Sequence, residues 1–205
     1  MGHAESKIKP IDFSGLEGPT GTSAHDRILA TACHMFYRHG INAVGIDRII
    51  AESGVAKMSL YRNFGSKQAL VEAYLKHRDA CWQDVFRDHI LALDLPAVDK
   101  ILAYFDLMHA WLCRPEFSGC AYINATAECT GANAVTEIIQ HHKERNLDLL
   151  TTQAAQAGFD HATELAEQLF LLTEGAIVTA SISGSPEPMR TAKTAARQLL
   201  STAGA

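Results

Sequence analysis

The chain has 205 residues, 47% apolar and 20% charged, enough for one sizeable domain or two small ones of ordinary globular composition. No apolar run is long and charge-free enough to span a bilayer (the longest, Leu169 to Ile182, contains Glu174), and the N-terminus MGHAESKIKP lacks the apolar core of a secretion signal. Five cysteines, an odd number with no CxxC, argue against a disulfide framework or a zinc ribbon, so the expectation is a soluble cytoplasmic protein with reduced thiols.

Residues 1–22 hold Gly, Pro, Ser and charges without apolar periodicity and read as a flexible arm carrying Lys7 and Lys9. From Ser23 on the period is helical. Ser23 caps a first helix whose Ile28, Leu29, Ala32, Cys33 and Phe36 share one face, and Gly40 stops it. A second helix covers Ile46 to Ser53 and ends at Gly54. Val55 occupies the turn. A third runs from Lys57 to Phe64 and buries Leu60 and Phe64. Gly65 stops it and Ser66 caps a fourth helix. The fourth keeps its apolar rhythm through Leu70, Val71, Tyr74, Leu75, Arg78, Cys81, Trp82, Val85, Phe86 and His89, and should run unbroken until Pro96 approaches. Further helices are expected at about Val98–Cys113, Tyr122–Glu128, Ala134–Ala157, His161–Ser183 and Pro188–Thr202. No strand or internal repeat appears.

The net charge of -5 hides a division. Residues 23–67 hold six Lys and Arg against three Asp and Glu, a balance of +3, whereas residues 68–205 hold ten against seventeen, a balance of -7. A basic head on an acidic body suits a head that meets phosphates. The segment Gly45–Lys67 gives that head a form: two short helices joined by a tight turn, the arrangement that lays a helix in the major groove. With Leu60 and Phe64 as anchors, Lys57, Met58, Ser59, Arg62 and Asn63 are left for DNA, with Tyr61 at the edge. Lys67 opens a helix that gains nothing from a cation there, and a phosphate explains its placement.

This segment resembles the TetR family of transcriptional regulators. The resemblance rests on the helix end Phe36 to Gly40, Ile49, Glu52-Ser53-Gly54-Val55, Ser59-Leu60-Tyr61, Phe64, Ser66-Lys67 and Ala69-Leu70, and covers residues 23–72. Three positions depart from the family pattern: Gly45 in place of a Thr or Ser cap, Asn63 in place of a His, and Met58 where a small residue is usual. The resemblance implies that Ser59, Tyr61 and Lys67 contact phosphates. It also implies that Lys57, Met58 and Arg62 meet base edges, with Asn63 in either class. The implied fold is all-α. Its three-helix helix-turn-helix head (residues 23–68) is joined by the long fourth helix to a helical ligand-binding and dimerisation body (residues 69–205).

Within the body, the last two helices are apolar on nearly every side and must be covered on all of them. Phe170, Ile177, Val178, Ile182, Ala196, Leu199 and Leu200 are the predicted dimer interface, in a four-helix arrangement about a twofold axis. Polar groups set on apolar stripes mark a pocket for a small molecule: Phe105, Met108, His109, Trp111, Tyr122, Asn124, His142, Asn146, Phe170 and Glu174. Cys120, Glu128, His141 and His142 lack the spacing of a metal site, and nothing marks Cys120 as a stabilised thiolate. No metal or cofactor is expected. The function that follows is a homodimeric repressor, bound to a palindromic stretch of double-stranded DNA and released by a small-molecule effector, without membrane association. Two other classes remain: a helical protein–protein adaptor without DNA binding, and an enzyme. Against the enzyme, the chain has no GxSxG, P-loop, HExxH or dinucleotide fingerprint.

Overall fold

The computed structural model describes residues 11–203, and all the regular structure among them is helical. The head is α1 (Ala24–His39), α2 (Ile46–Ser53) and α3 (Lys57–Phe64). Then come α4 (Lys67–Trp82), a π-helical segment (Gln83–Asp88) and α5 (His89–Ala92) in unbroken succession. The body adds α6 (Ala97–Leu112), α7 (Ala121–Glu128), α8 (Asn133–Gln156), α9 (Ala162–Ser183) and α10 (Glu187–Ala203).

Local chemistry sets these boundaries. Ser23 Oγ accepts the Asp26 amide at 3.1 Å and Ser66 Oγ accepts the Ala69 amide at 3.1 Å, each satisfying a first-turn donor. The α1 helix ends where Gly40 takes a φ of +87°. Short connections make α8, α9 and α10 neighbours, and α6 packs against all three. Tyr74, Phe86, Tyr104 and Phe105 are the largest wholly buried side chains and fill the space between α4, its continuation and α6.

Four expectations change. Residues 11–22 are not a flexible arm: Ser14–Glu17 form a 3-10 turn, Leu16 is 2% exposed, and Phe13 packs on Phe86. Leu16 and Phe13 give that segment an apolar footing which a scan for helical period passes over. Lys7 and Lys9 lie outside the described residues. Next, the long fourth helix continues to Ala92 but not in one geometry. Its π-helical turns are wider than α-helical ones, and there Trp82 and Phe86 stack with ring centroids 3.7 Å apart.

The third correction concerns α9. It does have the length and mean hydropathy, 1.3, of a membrane span. It is packed on one side by α8 and α10, and Lys143 pairs with its Glu174 at 2.5 Å. The fourth concerns the dimer face. Ile177, Ala196 and Leu200 are buried within the chain itself, Ile177 beside the inner cavity and Ala196 and Leu200 on α10, so these three present no surface to a partner. Val178 and Ile182 do face outward, at 39% and 83% exposure, with Leu171 at 69% on the same helix. Phe170 and Leu199 are half-buried at its margin.

Candidate nucleic-acid interface and body cavity

The α2–α3 turn is made by Gly54, in the left-handed region at φ +64°, and by Val55, buried between the helices. Wholly buried Leu60 and half-buried Phe64 fix α3, and His25 of α1 stacks on Phe64 at 4.8 Å. Lys57, Met58, Tyr61, Arg62 and Asn63 are thereby left exposed on one outer face, with Ser59 and Lys67 half-buried at its edges. Neither α2 nor α3 has a side-chain cap at its N-terminus, where Gly45 and Ala56 stand; in α3 the Ser59 N–H bonds the Ala56 carbonyl at 2.8 Å, which leaves the Lys57 and Met58 N–H groups for an anion.

Two of these side chains have partners the sequence did not announce. Lys57 Nζ lies 3.0 Å from Asp47 Oδ1, which raises the lysine pKa by hydrogen bond and charge. Asn63 Nδ2 donates to the Ser59 carbonyl at 2.7 Å. Both contacts are exposed, and such contacts are weak enough to be exchanged for a phosphate or a base edge. Arg48, exposed on α2, adds a cation to the same module. Its signal was a polar-face arginine ahead of the turn.

In the body, Met108, Trp111, Tyr122, His142, Asn146 and Glu174 come together and line one cavity with Arg78, Trp82, Tyr104 and Lys143. Four predicted residues do not join them. Phe105 lies one turn before Met108 and packs edge-on against Tyr104. His109 faces α10, where burial and Arg190 push its pKa down. Asn124 is exposed and donates to the Ser118 carbonyl at 3.0 Å. Phe170 lies beside Lys143, whose Nζ is 5.9 Å from its ring centroid, and is not among the residues that line the cavity. Each sits on an apolar stripe, but helical phase aims it elsewhere. Glu128, Cys120 and His142 also part company: no group of three His, Cys, Asp or Glu that could hold a metal occurs among the described residues.

The cavity wall is a chain of hydrogen bonds with only one consistent assignment. Trp82 Nε1 can only donate, so the Asn146 atom 2.8 Å away is the amide oxygen. Asn146 Nδ2 then donates to the His142 carbonyl at 2.7 Å and faces His142 Nε2 at 3.2 Å. His142 Nε2 must therefore accept, and its Nδ1 carries the proton that Asp79 Oδ1 receives at 2.7 Å. Neutral His142 is what this wiring requires, and burial pushes its pKa down to about 4. For Asp79, burial acts to raise the pKa, but hydrogen bonds from His142 and Gln83 and the Arg145 charge, 3.0 Å away, leave it lowered and ionised. Tyr122 stacks on the His142 ring at 3.6 Å. The sequence had placed Arg78 and Trp82 on the buried stripe of α4 without reading them as cavity residues. A charged residue on an apolar stripe was the available signal.

The space these side chains leave is about 20 Å³, room for roughly one water, so a larger ligand enters only if they move. A wider cleft of about 450 Å³ adjoins it between α1, the Ser14–Glu17 turn and the α6–α7 connection, and Leu16, Arg78 and Trp111 line both. Head and body meet at this level. Tyr37 Oη donates to the Gly119 carbonyl at 2.9 Å, and the Asn42 amide donates to Glu128 Oε2 at 2.7 Å. A Cβ on Gly40 would lie 3.1 Å from that carboxylate, so glycine there serves both the turn and the contact.

The profile of the family described as "Bacterial regulatory proteins, tetR family" matches residues 28–74. The solved structure of SCO4454, a TetR-family transcriptional regulator from Streptomyces coelicolor, is 31% identical with a TM-score of 0.82, covering 89% of this chain and 96% of that one. Among curated relatives, the HTH-type transcriptional repressor NemR of Escherichia coli strain K12 is 24% identical over 192 residues, 89% of this chain and 96% of the relative. The transcriptional regulator AcuR of Cereibacter sphaeroides is 24% identical over 184 residues, 83% and 82% of the two chains.

Proposed function

The chain belongs to the TetR family of bacterial transcriptional regulators, and from that premise we propose that this DNA-binding regulator works as a cytoplasmic homodimeric repressor, released from a palindromic operator by a small molecule. One observation carries the reading: the outer face of α3, with Lys57, Met58, Tyr61, Arg62 and Asn63 exposed above the Leu60 anchor, between two uncapped helix N-termini. Residues 23–68 act as the DNA-binding head and residues 69–205 as the ligand-binding and dimerisation body. Ser59, Tyr61 and Lys67 hold phosphates and position the head. Lys57, Met58 and Arg62 read base edges, and Asn63 supports either task.

The name of the NemR relative supports repression. A twofold partner docks on the outward face of α9, through Leu171, Val178 and Ile182 with half-buried Phe170 and Leu199 beside them; the first three are left uncovered by the described residues. The effector binds at Met108, Trp111, Tyr122, His142, Asn146 and Glu174, favours the body shape that accommodates it, and sets the two heads at the wrong spacing.

Selection of bound fragments from a random DNA library tests the reading. The expected product is an inverted repeat with half-sites one helical turn or a multiple apart. Its affinity should fall steeply between 50 and 200 mM salt. An asymmetric site bound by one subunit, or affinity indifferent to salt, would refute it.

A further inference from the structure

Arg78 of α4 is 4% exposed, yet no carboxylate pairs with it among the described residues. Its Nη1 donates to the Leu16 carbonyl at 2.7 Å, and its guanidinium lies 4.1 Å over the Tyr37 ring. A guanidinium carries five N–H donors, and this geometry engages one of them. A buried cation without an anion is a costly arrangement, tolerated where a function needs it. The two acids of the adjoining cleft are already engaged: Glu17 and Glu116 lie 2.7 and 3.4 Å from Arg114. Arg38 stands exposed at the cleft rim, likewise without an acidic partner among the described residues.

We propose that the effector is a small monocarboxylate with an apolar tail, its carboxylate seated on Arg78 in the cleft between head and body. This rests on the repressor reading and adds the site of entry and the chemical class. The cleft, about 450 Å³, has the size of a small-molecule site. Its walls combine Leu16, Trp111 and Phe117 with the single buried guanidinium, so an apolar tail and one negative charge are matched together. A fork of N–H groups fits a carboxylate in bidentate fashion. A dianion would find for its second charge only the exposed Arg38 and an Arg114 already paired with Glu17 and Glu116.

The position also explains an effect on DNA. The cleft is walled by α1 on one side and by the α6–α7 connection on the other, and Tyr37 joins them through Gly119 and Ser118. A molecule wedged there favours one head orientation over another, which is what differential binding to two states requires. Since Arg78 and Trp111 also line the inner cavity, the tail reaches Tyr122 and His142 when those side chains part.

Isothermal titration of the full-length protein with benzoate and hexanoate, beside neutral benzamide and inorganic phosphate, tests this. Benzoate or hexanoate should bind and weaken the affinity for the selected DNA at least tenfold, with benzamide and phosphate at least tenfold weaker. Arg78→Met should abolish carboxylate binding. Should that variant fold poorly, Arg38→Gln, at an exposed position, should weaken it several-fold. Benzamide or phosphate binding as tightly as the carboxylates, unchanged carboxylate binding in Arg38→Gln and Arg78→Met, or no carboxylate binding at all would each overturn the proposal. In the last case, DNA binding that persists and is released by a neutral compound leaves the repressor reading standing. If no DNA is bound, that reading fails, and the titrations still decide the carboxylate site.

Discussion

His142 offers the sharpest test of the body's wiring. Its Nδ1–H faces Asp79 and its Nε2 accepts from Asn146, so a second proton would set one N–H against another in a buried site. The folded pKa is pushed down to about 4, against an ordinary 6.5. A histidine with a depressed pKa contributes stability fully present above 6.5 and lost as pH falls towards 4, because the unfolded chain takes up the proton first. At about 1.4 kcal/mol per unit, the loss between pH 7.5 and pH 5 is about 2 kcal/mol. Asp79 is lowered, so its own contribution is lost as pH falls from the ordinary 3.8 towards its folded value, below this window. His109 is also lowered and acts with the same sign, but it is present in both proteins and cancels in their comparison. Urea unfolding of the wild type and of His142→Gln at both pH values, at one protein concentration, measures the difference. The wild type should lose about 2 kcal/mol more than the variant on acidification. An equal loss in both would show that His142 is not held neutral, and the hydrogen-bond assignment would fall with it.

Tyr61→Ala and Lys67→Ala should weaken binding to all DNA sequences alike, and Lys67→Ala should lower the salt slope by about 1, read by gel-shift titration. Arg62→Ala should instead cost about 1–3 kcal/mol on the preferred site and relax the preference at one base pair; a uniform loss across sequences would move Arg62 to the phosphate class. Ile182→Asp, with Val178→Asp as a second variant, should convert dimer to monomer in analytical ultracentrifugation while the circular dichroism stays helical; a persistent dimer would place the interface elsewhere. Glu128→Ala removes the acceptor of the Asn42 amide and should speed hydrogen exchange at that amide at least tenfold, about the 1.4 kcal/mol expected of a bond to a charged acceptor. An unchanged rate would mean that the contact is not held in solution.

The head was legible because its signals are local. Ser23, Gly40, Gly54, Gly65 and Ser66 each fix a boundary within a residue or two, and the apolar period of 46–64 leaves one face for α3 to expose. The body was legible as helices but only half as a site. Periodicity says that His109, Asn124 and His142 lie on or near apolar stripes; it does not say which neighbouring helix each stripe meets. His142 meets α4 and α7, whereas His109 meets α10, and that difference is set by packing between elements distant in the chain. The same limit explains the dimer face. Ile177 and Ile182 are equally apolar in sequence, but the first faces the inner cavity among α6 and α8 side chains and the second is left bare.

Packing also revises how the body reaches the head. The sequence pointed to α4 as the connection, and α4 does run between them, yet it changes geometry at Gln83. The eight-residue α7 gives a second route. At its start the Tyr122 ring stacks on His142 and its hydroxyl donates to the Leu75 carbonyl of α4 at 3.1 Å. At its end Glu128 holds both the backbone and the side-chain amide of Asn42, in the bend between α1 and α2. A helix of this length is a stiff rod of about 12 Å. A ligand that shifts Tyr122 together with its helix would therefore shift the α1–α2 bend as well. That bend sets the tilt of α2 and, through Val55 and Leu60, of α3. On the proposed repressor reading, a ligand that parts Tyr122 from His142 would act on α3 through two links, one along α4 and one across it, and Glu128→Ala should weaken the second, which then keeps only the Asn42 side-chain amide on the residue-128 carbonyl, while leaving the first intact.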